Sequence, residues 1–77
     1  MKSFVLIQVE PGKENEEVVK QLKNYKEEIK NVYQLEGIYD VVAEIETSDE
    51  KELINLVMYL RENIDGVYRT YPLICKE

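Results

Sequence analysis

The chain has 77 residues, no histidine, one cysteine and a formal net charge of −6. Because histidine is absent, imidazole general bases, Ser-His-Asp and Cys-His nucleophile systems and the commonest metal ligand are excluded. The lone Cys75 can form neither an internal disulfide nor a thiolate metal site within one chain, which fits a reducing compartment such as the cytoplasm. The negative charge and the mixing of lysines with glutamates oppose binding to a phosphate backbone. We therefore expect no metal, no cofactor and no direct contact with nucleic acid.

A chain of this length has room for one domain, and we assign residues 1–77 to it. Its first apolar stretch is short and is interrupted by Gln8 and Glu10, so it predicts neither a signal peptide nor a membrane span. A domain this small hides only roughly 60% of its unfolded surface. Self-association would therefore add stability.

The first predicted element is a strand over residues 3–10, which ends at the Pro11-Gly12 turn. The same turn opens a helix, with glutamates in its first turn and lysines towards its C-terminal end, as the helix dipole favours. The helix is predicted from apolar residues spaced i, i+4, i+7 and i+11. These residues are Val18, Leu22, Tyr25 and Ile29.

The same apolar skeleton recurs 35 residues further along the chain. After each predicted helix a strand begins, at Val32 in the first copy and at Val67 in the second. We expect the second helix to start near Ser48 or Asp49, with a capping box between Thr47 and Glu50, and to stop at Asp65-Gly66. Its apolar positions are Leu53, Val57, Leu60 and Ile64.

Apolar strands over residues 4–9 and 41–45 precede the two helices, so the chain reads strand, helix, strand, twice. This order predicts a ferredoxin-like α+β fold, βαββαβ, with an antiparallel four-stranded sheet and two helices on one face. The apolar runs of strands one and three fit the centre of the sheet. Pro72 fits an edge strand, because it has no N–H to donate. Apolar residues on the face without helices predict that a second copy covers that face.

The segment Gly37-Ile38-Tyr39-Asp40, between strands two and three, carries the most potential chemistry. A tight hairpin from Leu35 to Val41 needs a glycine with positive φ. Asp40 lies at the mouth of the sheet, where its carboxylate could accept hydrogen bonds from an ammonium group. The structural alternative is that the segment is an ordinary turn with an aromatic strand former.

Three segments together resemble a known family: residues 9–13 (VEPGK), residues 32–43 (VYQLEGIYDVVA) and residues 64–70 (IDGVYRT). They resemble the C-terminal effector domain, or RAM domain, of the leucine-responsive regulator/AsnC transcription factors, over essentially the whole chain. The resemblance implies a βαββαβ fold that dimerises through its sheets, assembles further into octamers and binds amino acids in clefts between subunits. It implies ligand-binding roles for Gly37, Tyr39, Asp40 and Thr70.

Two departures from the family pattern are visible. Pro72 stands where the family has a second threonine in strand four. We also expect that no helix-turn-helix domain precedes the effector domain, and hence a module without its own DNA-binding domain. Such a module would bind an amino acid as a homodimer or octamer, or would co-assemble with a full-length regulator, and would modulate transcription or amino-acid metabolism.

Two other readings stay open. An ACT-like amino-acid sensor has the same fold and a Pro-Gly after its first strand, but an aliphatic residue normally follows closely, whereas Lys13-Glu14 follow here. A small dimeric αβ-barrel enzyme would need Asp40, Glu44 or a tyrosine as its acid or base. No nucleophile and base pair can be proposed, so we expect no enzyme and no catalytic residue.

Overall fold

The computed structural model describes residues 1–76. Its four strands are β1 (Lys2–Val9), β2 (Ile29–Gln34), β3 (Val41–Glu46) and β4 (Val67–Ile74). They form one antiparallel sheet in the order β2-β3-β1-β4. The predicted ferredoxin-like α+β fold is therefore confirmed, with β1 and β3 at the centre and Pro72 in an edge strand. The two helices are α1 (Asn15–Leu22), between β1 and β2, and α2 (Glu50–Asn63), between β3 and β4.

The hydrophobic core lies between the sheet and the two helices. Successive side chains of a strand point to opposite faces, and alternate residues of β1 and β3 are completely buried on the helix side. Helix side chains with the 3.6-residue spacing close the core from above. The fully buried hydrophobic residues are Val5, Ile7, Val18, Leu22, Val41, Ala43, Ile45 and Leu60.

Helix α1 is shorter than its apolar spacing predicts. It ends at Leu22, and Asn24 then adopts a left-handed conformation with φ 65°, which asparagine tolerates better than most residues. The Tyr25 amide donates to the Leu22 carbonyl within this turn. Ile29 opens β2 and pairs with Ile45 of β3. The predicted continuation of the helix to Ile29 is therefore wrong.

Helix α2 begins with a different cap from the one predicted. Asp49 is the N-cap, and its Oδ1 accepts from the Glu52 amide at 2.9 Å. The Thr47 hydroxyl donates to the Asp49 carbonyl instead of capping the helix. The predicted stop is close to the observed one, because the helix ends at Asn63 and Gly66 follows with φ 97°.

Gly66 joins the end of α2 to the first half of the chain. Its carbonyl accepts from the Glu10 amide at 2.7 Å. A Cβ at this position would lie 3.0 Å from Val18 Cγ2 and 3.4 Å from Lys13 Cβ. The backbone just before β4 therefore packs directly on α1, so closely that only glycine, which has no Cβ, fits at position 66.

The sheet face opposite the helices, the helix-free face, is apolar at its centre. Leu6 pairs with Val42 on one side and with Tyr71 on the other. Nearer the N-terminal end of β1, Glu44 accepts from Asn31 Nδ2 at 2.9 Å and lies 3.2 Å from Lys2 Nζ. These three polar residues end the helix-free face, whose other members are Phe4, Leu6, Tyr33, Val42, Tyr71 and Leu73.

Each of the two edge strands, β4 and β2, has a feature that departs from regular strand pairing. In β4, Pro72 pairs with Val5, and beyond the strand the Cys75 amide donates to the Lys2 carbonyl at 3.0 Å. In β2, the register shifts between Ile29 and Asn31.

Over the residues described, neither helix has the length and apolar character needed to cross a bilayer.

Candidate functional site

The loop between β2 and β3, residues 37–40, is a closed hairpin connection. The Leu35 amide donates to the Asp40 carbonyl at 2.8 Å. Gly37 has φ 131°, so the prediction of a positive φ at this glycine is confirmed. Ile38, at the tip, is 78% exposed. The backbone of the 37–40 loop is therefore fixed at its base while its tip is presented to solvent.

Asp40 fastens this loop to the end of β1. Its Oδ2 accepts from the Val9 amide at 2.7 Å, and its own amide donates to the Ile7 carbonyl at 2.9 Å. The Val9 amide needs this partner because, like the Ile7 carbonyl, it faces the β3 side of β1, and the pairing of β1 with β3 ends at Ile7 and Val41. Among the residues that the structure describes, the other carboxylate oxygen, Oδ1, accepts no hydrogen bond. Asp40 thus has a structural contact and one free oxygen.

Two residues that the sequence pattern did not single out hold the loop from the helix-free face. Gln8 Nε2 donates to the Ile38 carbonyl at 3.0 Å, and the Tyr71 hydroxyl lies 3.4 Å from Gln8 Oε1. The rings of Tyr39 and Tyr71 meet edge to face, with centroids 5.2 Å apart. Gln8 and Tyr71 were detectable only through strand alternation, which puts Gln8 on the same face as Leu6.

The structure brings three of the four predicted ligand-binding residues together. Gly37, Tyr39 and Asp40 belong to one hydrogen-bonded loop. Thr70 is elsewhere, because it pairs with Ile7, whose side chain is buried under the helices, and directly opposed side chains share a face. Within one chain, β1 therefore separates Thr70 from Asp40.

A groove of about 430 Å³ runs along β2. It is lined by Lys23, Asn24 and residues 29–33, none of which belongs to the 37–40 loop. Within residues 1–76 there is no cluster of three or more Cys, Asp or Glu side chains that could hold a metal ion. The chemistry that the loop offers is recognition of a cation by a carboxylate beside an aromatic ring.

No protein-family model matches the chain. Among curated proteins, it is 40% identical over 74 residues to the HTH-type transcriptional regulator FL11 of Pyrococcus abyssi, and 39% identical over 72 residues to FL11 of Pyrococcus furiosus. The match covers 96% and 94% of this chain but 47% and 46% of the two regulators. The chain thus spans about half the length of the curated relatives it matches.

Solved structures show the same architecture. FFRP-DM1 superimposes with a TM-score of 0.80 at 27% identity, over 97% of both chains. The transcriptional regulator NMB0573 of Neisseria meningitidis, solved as a complex with L-Met, gives a TM-score of 0.80 over 99% of this chain and 50% of its own. AsnC of E. coli gives 0.79 over 99% and 50%. At 17% identity the last two show the fold alone. With the sequence match to FL11, these findings place the chain among the effector (RAM) domains of the leucine-responsive regulator/AsnC family of transcription regulators.

Proposed function

We propose that this domain binds a free amino acid at the 37–40 loop and reports the ligand through its assembly. The observation that carries the proposal is the half-buried Asp40, whose Oδ2 is fixed by the Val9 amide while Oδ1 remains free. A carboxylate held in this way is oriented before any ligand arrives. It could accept the α-ammonium of an amino acid in a charge-assisted hydrogen bond. Tyr39, adjacent in the loop, would border the same ligand.

A bound amino acid in a related fold supports the choice of ligand. NMB0573, which shares this fold, was solved with L-Met. Gly37 would serve the ligand through its backbone, because its positive φ shapes the turn and no atom lies within 4 Å of a Cβ built there. Thr70 would contact only a ligand that is bound to the loop of a neighbouring copy, since β1 separates Thr70 from the loop of its own chain.

A second copy would complete the cleft. The helix-free face has an apolar centre, and two helices cannot cover both faces of one sheet, so a homodimer that pairs these faces is the simplest cover. We propose in addition that such dimers assemble further into an octamer, or that the domain co-assembles with a full-length regulator. We infer that the domain acts inside the cell, without direct contact with DNA and without catalysing a reaction.

Regulation would then operate by linkage. An amino acid bound between subunits stabilises the assembly state in which the cleft is best formed. Its effect is limited by its differential affinity for the alternative states. The readout would be transcription or amino-acid metabolism, through a DNA-binding partner protein or through the concentration of free amino acid.

The test begins with a thermal-shift screen of the common amino acids, followed by calorimetry with those that stabilise the protein. Asp40→Asn removes the charge but keeps an oxygen that can accept from the Val9 amide. Loss of a charge-assisted hydrogen bond worth about 1.5–3 kcal/mol should weaken binding by roughly tenfold to a hundredfold. The melting temperature without ligand should change little.

Two further variants make the result interpretable. Asp65→Asn removes one exposed carboxylate remote from the loop, 3.3 Å from Lys13 Nζ, and should leave affinity unchanged. Asp40→Ala also removes the acceptor of the Val9 amide, so it should lower stability as well as affinity. Wild-type affinity in Asp40→Asn would show that this carboxylate only fastens the loop.

Assembly is tested by light scattering. Leu6 lies at the centre of the helix-free face, between Val42 and Tyr71. A standard interface hides about 800 Å² per partner, so Leu6→Asp, which buries a charge there, should convert the dimer to a monomer. A monomeric wild type at micromolar concentration would contradict the proposed cover.

A further inference from the structure

The outer side of α2 carries an unusual amount of exposed apolar surface. Ile54, Met58 and Tyr59 are 49%, 55% and 53% exposed. They lie on the side of the helix away from the core residues Leu53 and Leu60. Since α2 covers the sheet from the side opposite the helix-free face, pairing of the sheets would leave these residues in water.

The outermost stripe of α2 has the spacing i, i+4, i+7 and i+11, which keeps its members on one line along the helix. All four side chains of this stripe are exposed. They are Lys51, Asn55, Met58 and Glu62. Ile54 borders the stripe on one side and Tyr59 on the other. We call these six residues the α2 outer face.

The α2 outer face is self-complementary when a second copy is laid on it in the opposite direction. About a midpoint between residues 56 and 57, Lys51 of one copy meets Glu62 of the other, and the same pair forms a second time by symmetry. Asn55 likewise meets Met58 near the centre line. The two-fold axis keeps the lateral sides of the face, so Ile54 of one copy lies beside Ile54 of the other along one side, and Tyr59 beside Tyr59 along the other. The two charges lie 11 residues apart, about 16 Å along the helix, so they bracket the apolar centre.

The charges at the two ends are free to engage a partner. Among the residues that the structure describes, neither Lys51 nor Glu62 has an ion-pair partner within 4.0 Å. By contrast, Lys20 lies 3.8 Å from Glu17 on α1. The face therefore offers one unpaired cation and one unpaired anion in positions that a two-fold axis exchanges.

The shape of the face suits helix packing. Met58 stands between two shallow grooves, one of about 310 Å³ lined by Met58, Arg61 and Glu62, and one of about 390 Å³ lined by Asn55, Met58, Tyr59 and Glu62. Helices associate by placing the ridges of one in the grooves of the other. In the antiparallel register above, Met58 of each copy lies over Asn55 of its partner, at the edge of the second groove.

We propose that the α2 outer face is a second self-association surface, which packs antiparallel against α2 of another copy of this chain about a two-fold axis. The contact is isologous, so by itself it joins two copies and no more. It is small compared with a standard interface, so it forms as a concentration-dependent step. Because it lies on the opposite side of the sheet from the helix-free face, both contacts can form in one assembly.

The test is charge exchange across the two-fold axis, followed by sedimentation equilibrium. Lys51→Glu places two glutamates together at both ends of the contact, and Glu62→Lys places two lysines there. Each single variant should raise the dissociation constant of the helix-mediated step by about tenfold. The double variant, Lys51→Glu with Glu62→Lys, restores both pairs with their signs exchanged and should recover wild-type association.

Mixing the two single variants gives an independent readout. At one end of the mixed contact the two substituted positions meet with opposite charges, and at the other end the unchanged Lys51 meets the unchanged Glu62. The mixture should therefore associate more tightly than either variant alone. Lys30→Glu, a charge reversal of the same size on β2, is the matched control and should have no such effect. Circular dichroism checks that α2 remains folded.

A background of Leu6→Asp separates this contact from the sheet-mediated one. In that background the step measured is monomer to dimer. In the wild type each sheet-paired dimer presents two α2 outer faces, so the step measured is association of dimers into tetramers and larger species. Absence of any helix-mediated step in both proteins at about 1 mM, where a contact of only about −4 kcal/mol is still half formed, would overturn the proposal. Failure of the double variant to recover the association lost in the singles would overturn it as well. Neither result would bear on amino-acid binding at the 37–40 loop.

Discussion

Replacing Gly66 by alanine tests how closely the end of α2 approaches α1. Two separate effects act at this position. With φ 97°, an L residue is held in the left-handed region, which costs about 1–2 kcal/mol. The added Cβ also lies 3.0 Å from Val18 Cγ2, and Val18 is completely buried, so it has little room to move. Overpacking of this kind costs about 1–3 kcal/mol.

Gly12 provides the matched control within the same chain. It has φ 89°, close to that of Gly66, but no heavy atom lies within 4 Å of a Cβ built on it. Gly12→Ala therefore reports the backbone effect alone, and the gain from a less flexible unfolded chain is the same in both variants. We expect Gly66→Ala to be less stable than Gly12→Ala by about 2 kcal/mol, the middle of the range for overpacking.

Urea denaturation at one fixed protein concentration measures this difference, because any self-association makes stability depend on concentration. In thermal melts, about 2 kcal/mol corresponds to a gap of roughly 8–16 °C for a domain of this size. Equal destabilisation of the two variants would refute the reasoning. It would mean that Val18 moves aside without loss and that positive φ alone explains the glycine.

Three further substitutions test other parts of the fold. Ser3 is completely buried and its hydroxyl has no hydrogen-bond partner among the residues described, so Ser3→Ala should raise the free energy of unfolding by about 1 kcal/mol in urea denaturation. Asp49→Ala removes the N-cap of α2 and should lower that free energy by about 1 kcal/mol. The pKa of Glu44 is lowered by the hydrogen bond from Asn31, and then by Lys2. The folded state therefore binds protons on Glu44 less readily than the unfolded state, and wild type should lose its advantage over Glu44→Gln as the pH falls below the ordinary pKa of 4.5.

The order of elements was predictable from the sequence, but the end of α1 was not. Val18, Leu22, Tyr25 and Ile29 have helical spacing, and the lysines and glutamates between them are good helix formers. In the structure only the first two are helical. Ile29 is instead the first residue of β2, where it pairs with Ile45 of the neighbouring strand β3 and is buried. The spacing of apolar residues indicates that they face the core, but it does not indicate whether each of them belongs to a helix or to a strand.

The 37–40 loop was predictable as a hairpin with a glycine of positive φ. The contact between Asp40 and the Val9 amide was not, because it depends on where the pairing of β1 with β3 ends, at Ile7 and Val41. Nothing in the local sequence marks that end of the pairing. The role of Gln8 follows from the same geometry, since its amide reaches the loop only where β1 passes beneath it.

Pro72 has a consequence for the kind of assembly this sheet can enter. The Cys75 amide points inward to β1, so alternation turns the amides of Leu73 and Tyr71 inward too and leaves position 72 in the outward row. That row is where an added strand from another molecule would bond, and a proline interrupts it in the middle. Growth of the sheet by continuous strand addition at β4 is thereby opposed. A substitution such as Pro72→Thr would restore the missing donor and open this edge to sheet extension and aggregation.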